Sequence, residues 1–363
     1  MLISHEFPPD SGGAGVVAYQ NAIAMSSANV NVTVLTRHQC FNHQPYQNLN
    51  YILYPCLKNF WPFFLILYIK RIKLINYDLI ILNDSFANLV FGSFIKNREI
   101  LKKTISYLHG GEVYQFLTRP GFYARLLRFK SKYLNFLSNV QKIISVSYEM
   151  KIRFIKQTSF KYEDKIVVVY SGVDDNIFRY KYFNLKRHLN LNIDKTILLT
   201  VSRLVHDKGF SRMIDIFSQI VSRNPNFHWI IIGDGPYLQD IISQLKKKSL
   251  ISNVSIIGYV MRQELPLYYS NSDIFWLLSP SESFGLVYLE AQMCGCPVIG
   301  NNIDGVNEAI TDQTSGFLIN SNEECIKLIT NYIFNELDQK SIIDCTTSFK
   351  LSHQIKELIH ILD

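Results

Sequence analysis

The feature that most constrains this chain is an alternation. Short runs rich in β-branched residues are separated by stretches with helical spacing, almost from end to end. One series of strand candidates reads VTVLT, DLIILN, TISYLH, KIISVS and KIVVVYSG; a second reads TILLTVS, HWIIIG, VSIIGY, DIFWLLS and PVIGN. Helical patterns such as GFSRMIDIFSQIVSRNP and YLQDIISQLKKKSL lie between them. Strands that alternate with helices run parallel, and the helices cover both faces of the sheet. Ten strands in two sets fit two doubly wound α/β domains better than one sheet. The length, 363 residues, allows two cores. The polar stretch RYKYFNLKRHLNLNIDK, 179–195, is the expected join, which gives domains 1–180 and 181–349. The last segment, SHQIKELIHILD, reads as an amphipathic helix capped by Ser352. Only MLIS precedes the first loop, so the first strand is short, and residues ahead of it are expected to be missing.

Charge is unevenly placed. The whole chain carries +7, whereas residues 51–135 hold thirteen Lys or Arg against four acids, an excess of +9. A basic first half points to an anionic partner, such as a lipid headgroup surface or a phosphate-bearing acceptor. No recognition motif accompanies the charge, so nucleic acid is not expected as a partner. The apolar run 60–69 contains Pro62 and is half the length a membrane span needs, roughly 20 residues. It reads either as a half-buried helix or as an interfacial segment with Lys70, Arg71 and Lys73 on phosphates. The segment RPGFYARLLRFKSKYLNFL, from 119, is open to the same two readings, a solvated helix or a membrane contact. Six scattered cysteines and no evident signal peptide favour free thiols in a reducing cytoplasm.

Ligands of open α/β sheets bind at the carboxyl ends of the strands. After TILLTVS come Arg203 and Lys208, which can share one diphosphate or simply be solvated. After HWIIIG come Gly233 and Gly235, but Leu238 stands where a dinucleotide fingerprint needs a third Gly. After DIFWLLS comes SPSESFGLVYLEAQMCGCPVIG. Here Ser283 is expected to cap a helix from Phe284 to about Cys294, leaving the amides of Phe284, Gly285 and Leu286 as an anion site. Glu282, just before the cap, and Glu290, about 10 Å past it along the helix, then flank that site. In the first half, Gly12 and Gly13 lie between a strand and a helix, and His109 ends another strand. His38, Cys40 and His43 are too closely spaced for a zinc pattern, so no metal is expected.

Taken in order, PPDSGGAG, LHGGE, YSGVDDNIF, SRLVHDKG, IIGDGP, SPSESFGLVYLEAQMCGCPVI and DGVNEAI resemble the retaining glycosyltransferases of family four over nearly the whole chain. The resemblance implies the GT-B fold, two doubly wound Rossmann-like domains with a cleft between them. It also implies that the helix 350–363 packs back onto the first, acceptor-side domain. It implies that Arg203 and Lys208 bind the donor diphosphate and that Glu282 holds the donor sugar, with Ser283 to Leu286 touching phosphate or sugar. Glu290 would hold the ribose, Gly233 would turn beside the nucleotide, Gly12 and Gly13 would approach phosphates, and His109 would face the reacting sugar. The donor is expected to be a nucleotide sugar, UDP-linked by preference. The acceptor is expected to be a glycan or lipid-linked hydroxyl in bacterial surface polysaccharide or glycolipid synthesis, including lipopolysaccharide. No cofactor is expected. An anionic membrane surface would be met through residues 58–73 and 119–136, placing the enzyme in the cytoplasm or peripherally on the inner face of the membrane. Three features depart from the family: Asp304 and Asn307 in DGVNE, Ser171 where Asn is common, and the short first strand. The rivals are a GT-B epimerase or phosphorylase and a non-catalytic partner subunit.

Overall fold

Each series of strands forms its own sheet. The structure is a computed structural model that describes residues 1–8, 12–38, 48–55, 60–110 and 128–362. The first sheet contains β1 (Leu2–Ile3), β2 (Val32–Arg37), β3 (Leu49–Tyr54), β4 (Ile80–Leu82), β5 (Thr104–Leu108), β6 (Lys142–Ser145) and β7 (Ile166–Val168), in the order β3-β2-β1-β4-β5-β6-β7. The second contains β8 (Thr196–Val201), β9 (Phe227–Ile232), β10 (Val254–Gly258), β11 (Ile274–Leu277), β12 (Val298–Asn301) and β13 (Gly316–Ile319), in the order β10-β9-β8-β11-β12-β13. Neighbouring strands pair in parallel, as in β1 with β4 and β8 with β11. The strand order reverses at β1/β4 and at β8/β11, which makes each of these a topological switch point where an α/β sheet opens a crevice.

The alternation pattern missed β3 and β13. Both are edge strands, paired on one side only. β3 is interrupted by exposed Asn50 and only half-buried along its middle, and β13 is short and opens on a glycine, so neither stands out as a strand. β1, only two residues long, nonetheless lies at the centre of its sheet.

The chain divides into two compact units, Met1–Gly172 with the segment from Leu351, and Val173–Lys350. The division therefore falls before the expected join at 180. Val173 donates its amide to Phe349 O at 2.8 Å, which commits it to the second unit. The polar stretch after 179 is also bound there: Lys181 N donates to Ser270 Oγ and Phe183 N to Asn271 Oδ1, each at 3.0 Å.

The terminal helix begins at Leu351, so Ser352 sits inside its first turn and does not cap it. It packs on the Gly13–Ser27 helix. Buried Gln354 joins the two by donating to Asn21 Oδ1 at 2.9 Å and accepting from Gly172 N at 2.6 Å.

In the first unit, the Trp61–Arg71 helix buries Leu65 and Ile69 and exposes Phe63 and Lys70. Pro62 is tolerated in its first turn, where a missing N–H breaks no helical bond. In the Phe129–Asn139 helix, Tyr133, Phe136 and Leu137 are core residues, so these aromatics are not available to a membrane. Residues 119–127, 58, Cys40 and His43 lie outside the described residues. The second unit closes over Trp229, Trp276, Phe210 and Phe217, each fully buried. Burial of such side chains contributes on the order of 1.5–3 kcal/mol apiece.

Candidate functional site

Three loops at the carboxyl edge of the second sheet interlock through glycines. β8 runs into a turn that ends at Gly209, where φ is +79°; a Cβ there would lie 2.3 Å from Leu278 O at the end of β11. Only glycine permits that approach. It brings Lys208 to Glu282, with Nζ 2.5 Å from Oε1 and both side chains mostly buried. Gly233, after β9, has φ +136°, and a Cβ on it would sit 1.9 Å from Ser202 O. Arg203, between these contacts, is exposed. The edge thus presents one cation fixed on a carboxylate and one that remains accessible.

The third loop differs from the expectation. The helix runs Leu286–Met293, its N-cap is Gly285 with φ +94°, and no side chain caps it. Ser283 is therefore not the cap. Its loop is held instead by the 303–305 turn: Ser281 Oγ donates to Asp304 Oδ2 at 3.0 Å, and Gly305 N donates to Glu282 O at 3.3 Å. Gly305 approaches so closely that a Cβ would lie 2.2 Å from Ser283 O. Phe284 is buried, with its ring 5.6 Å from that of Phe349. The first helical donor is Tyr288 N, to Gly285 O at 3.0 Å. The amides of Leu286 and Val287 precede it, at the positive end of the helix dipole.

Glu282 and Glu290 have different surroundings. Glu290 is 3% exposed. Its Oε1 lies 2.7 Å from Arg262 Nη1, and its Oε2 accepts from Tyr269 Oη at 3.2 Å. Burial pushes its carboxyl above the ordinary range, while Arg262 and Tyr269 pull in the other direction. Arg262 and Tyr269 were not legible as site residues. They sit in MRQELPLYY, where no spacing links them to residue 290.

The first unit's carboxyl edge is organised by a buried acid, also missed. Asp84 Oδ2 accepts from Ser4 Oγ at 2.8 Å, from Glu6 N at 3.1 Å and from His5 N; Oδ1 caps the Ser85–Phe94 helix through Ala87 N at 2.8 Å. An Asp directly after an apolar run and before a helical pattern was the available signal. His5 Nδ1 lies 2.8 Å from Tyr54 Oη, and its ring is 4.0 Å from Trp61. His109 stacks on Tyr107 at 5.6 Å. Burial lowers both imidazoles to about 4, against the pull of Asp84, so both are neutral near pH 7. Gly12 is the N-cap of the Gly13–Ser27 helix, and a Cβ on Gly13 would meet nothing within 4 Å. The structure therefore groups Arg203, Lys208, Gly233, Glu282 and Gly285 at one edge, and Gly12, Gly13 and His109 in the other unit. Among the described residues, no group of three or more His, Cys, Asp or Glu could hold a metal ion.

Residues 11–177 match the model for Glycosyltransferase Family 4, and residues 182–347 match that for Glycosyl transferases group 1. The chain is 27% identical over 308 residues to an uncharacterized 41.2 kDa protein in the cps region of Klebsiella pneumoniae, covering 81% of this chain and 80% of that one. It is 27% identical over 178 residues to alpha-monoglucosyldiacylglycerol synthase of Acholeplasma laidlawii, covering 47% of this chain and 45% of the synthase. The chain thus spans less than half the length of that relative. Among solved structures, Anabaena HepE in complex with UDP and glucose superposes with a TM-score of 0.80 at 18% identity, covering 99% of this chain and 98% of that one.

Proposed function

Because this chain belongs to the family-four, group 1 glycosyl transferases and has their paired Rossmann-like GT-B architecture, we propose that it transfers a hexose, with retention, from a nucleotide sugar to an acceptor hydroxyl. A UDP-sugar is the favoured donor, as supported by the UDP and glucose held by HepE. The acceptor is a glycan or a lipid-linked saccharide of cell-surface polysaccharide or glycolipid synthesis. The cps-region relative and the diacylglycerol-glucoside synthase support that class.

The observation that carries this reading is the Lys208–Glu282 pair, with Glu282 in the loop that leads into the Leu286–Met293 helix. Lys208, Arg203 and the helix end would take the diphosphate charge that grows as the sugar leaves. Glu282, held in place by Lys208, would accept from the donor sugar's hydroxyls. In the front-face route, the bond between sugar C1 and the phosphate oxygen breaks and the acceptor oxygen bonds C1 on the same face. The acceptor's proton passes to the departing phosphate oxygen. Neutral His109, Gly12 and Gly13 would serve the first unit's part of the reaction. Lys208→Ala and Arg203→Ala are expected to lower donor turnover by about 100-fold or more. Near-normal rates, with a UDP-sugar panel screened by thermal shift, would refute the phosphate assignment. An inverted anomeric product, read by NMR, would refute retention.

We also propose a peripheral membrane contact for the first unit. Phe60, Phe63 and Phe94 are exposed near Lys70, Arg71 and Lys96 in the chain, and Lys70 Nζ lies 5.9 Å from the Phe94 ring. Among the described residues, no helix is long and apolar enough to cross a membrane. Sedimentation with anionic liposomes at low salt is the test, and a protein that stays in the supernatant speaks against it.

A further inference from the structure

We propose that Arg262 is a positioning residue for the donor's ribose: it fixes one oxygen of Glu290, and Tyr269 the other, so that the carboxylate's remaining lone pairs are aimed at a vicinal diol. This rests on the reading of Glu290 as the ribose-binding carboxylate.

The geometry is specific. Arg262 Nη1 is 2.7 Å from Glu290 Oε1, and Tyr269 Oη donates to Oε2 at 3.2 Å. A carboxylate has about four acceptor sites, so one remains on each oxygen. Two acceptors on the two oxygens of one planar group match two adjacent hydroxyls. The clamp is itself held: the Arg262 guanidinium lies 4.6 Å from the centroid of buried Phe178, and the Phe178 ring is 6.2 Å from Tyr269. Arg262 remains partly exposed, at 24%, at the rim of the pair.

The electrostatics give Arg262 a second effect. A buried carboxylate without a partner takes a proton, because burial disfavours its charge. A protonated Glu290 would become a donor at one oxygen and a poor acceptor for a diol. The groups that face Glu290 are Arg262 and Tyr269 from the 258–269 segment and Cys294 on its own helix. Burial pushes the Cys294 thiol up to about 12 and the Tyr269 phenol well above its ordinary value. Both are neutral near pH 7, so among these groups the cation is Arg262.

The test is calorimetric binding of UDP and 2′-deoxy-UDP to the full chain and its variants at pH 6, 7 and 8. The unchanged chain should prefer UDP by about tenfold at each pH. Arg262→Met should reduce that preference to about twofold or less, and its UDP affinity should fall as the pH is lowered. Arg262→Lys should restore the flat pH response but only part of the preference, because an ammonium lacks the guanidinium's fork. A folded Arg262→Met chain that keeps the full 2′-hydroxyl preference at all three pH values overturns the proposal and leaves the ribose reading intact. An unchanged chain that binds the two nucleotides alike overturns the ribose reading and this proposal with it. If Arg262→Met does not fold, Tyr269→Phe is decisive. It removes one hydroxyl from the clamp and should reduce the preference about threefold, and an undiminished preference overturns the proposal.

Discussion

At the carboxyl edge of the second sheet, Lys208 meets Glu282 and Arg262 meets Glu290. At the same edge of the first sheet, two neutral imidazoles, His5 and His109, stand with aromatic rings around the buried carboxylate of Asp84. One edge holds paired charges, which suit an anion that also carries hydroxyls. The other buries the carboxylate of Asp84, with Glu6 and Arg37 nearby, and sets uncharged imidazoles beside it, which suit a hydroxyl nucleophile. Two sheets that share one strand order, apart from the added edge strand β7, thus carry different chemistry, because the loops after the strands differ.

That contrast can be broken experimentally, and the largest effect is expected at Asp84. It answers the amides of His5, Glu6 and Ala87 and the hydroxyl of Ser4. Asp84→Ala takes this acceptor from the amides of His5, Glu6 and Ala87, while Ser4 Oγ keeps Glu6 O, and should cost about 4 kcal/mol, since each buried unsatisfied group costs about 1–3. Calorimetry should then show the first unit melting apart from the second; a single transition at the unaltered temperature would contradict this. Next is Gly233→Ala, which drives a Cβ to 1.9 Å from Ser202 O. A loss of about 3 kcal/mol is expected, confined to the second unit in hydrogen exchange.

Acid should separate the two units as well. His5 and His109 are lowered from 6.5 to about 4 in the folded chain. The unfolded chain therefore binds their protons first. Their contribution is fully present above pH 6.5 and is lost as pH falls toward 4. In the second unit His228 behaves in the same way, but Glu290 and Asp273 are raised. Folded Glu290 and Asp273 take up protons before the unfolded chain does, so acid favours the second unit's folded form through them. Between pH 6.5 and 4, peptides of the first unit should lose exchange protection ahead of those of the second, and the reverse order would break the comparison.

The smallest effect is the most selective. Gly13→Ala meets no atom within 4 Å and lies in a helical first turn. Stability should hold or rise by about 0.5–1 kcal/mol. If a phosphate approaches this bare backbone, donor turnover falls nonetheless. Unchanged kinetics would remove Gly13 from the site.

Much of the fold was legible in the sequence. Central parallel strands are buried on both faces, so their apolar runs are long and distinct, and the helices between them repeat at 3.6 residues. β3 and β13 escaped because their local pattern is weak: Asn50 interrupts the first, and the second is short and opens on a glycine. Ser283 and Ser352 were misread as caps for a related reason. Ser suits the position before a helix, but Gly285 in the left-handed region starts the 286–293 helix, and the last helix starts at Leu351.

The sequence by itself determined two α/β units, the order of their loops, and the residue types gathered at each strand end, because these follow from periodicity and from local motifs. Only the tertiary structure decided which charges meet. Lys208 reaches Glu282 across 74 positions because Gly209 lets one loop lie against the end of β11. Glu290, expected with Glu282 to flank one site, is held by Arg262 and Tyr269. Its helix sets that carboxylate against a segment with which it shares no sequence spacing. Pairing of this kind depends on packing in three dimensions, which no local pattern encodes.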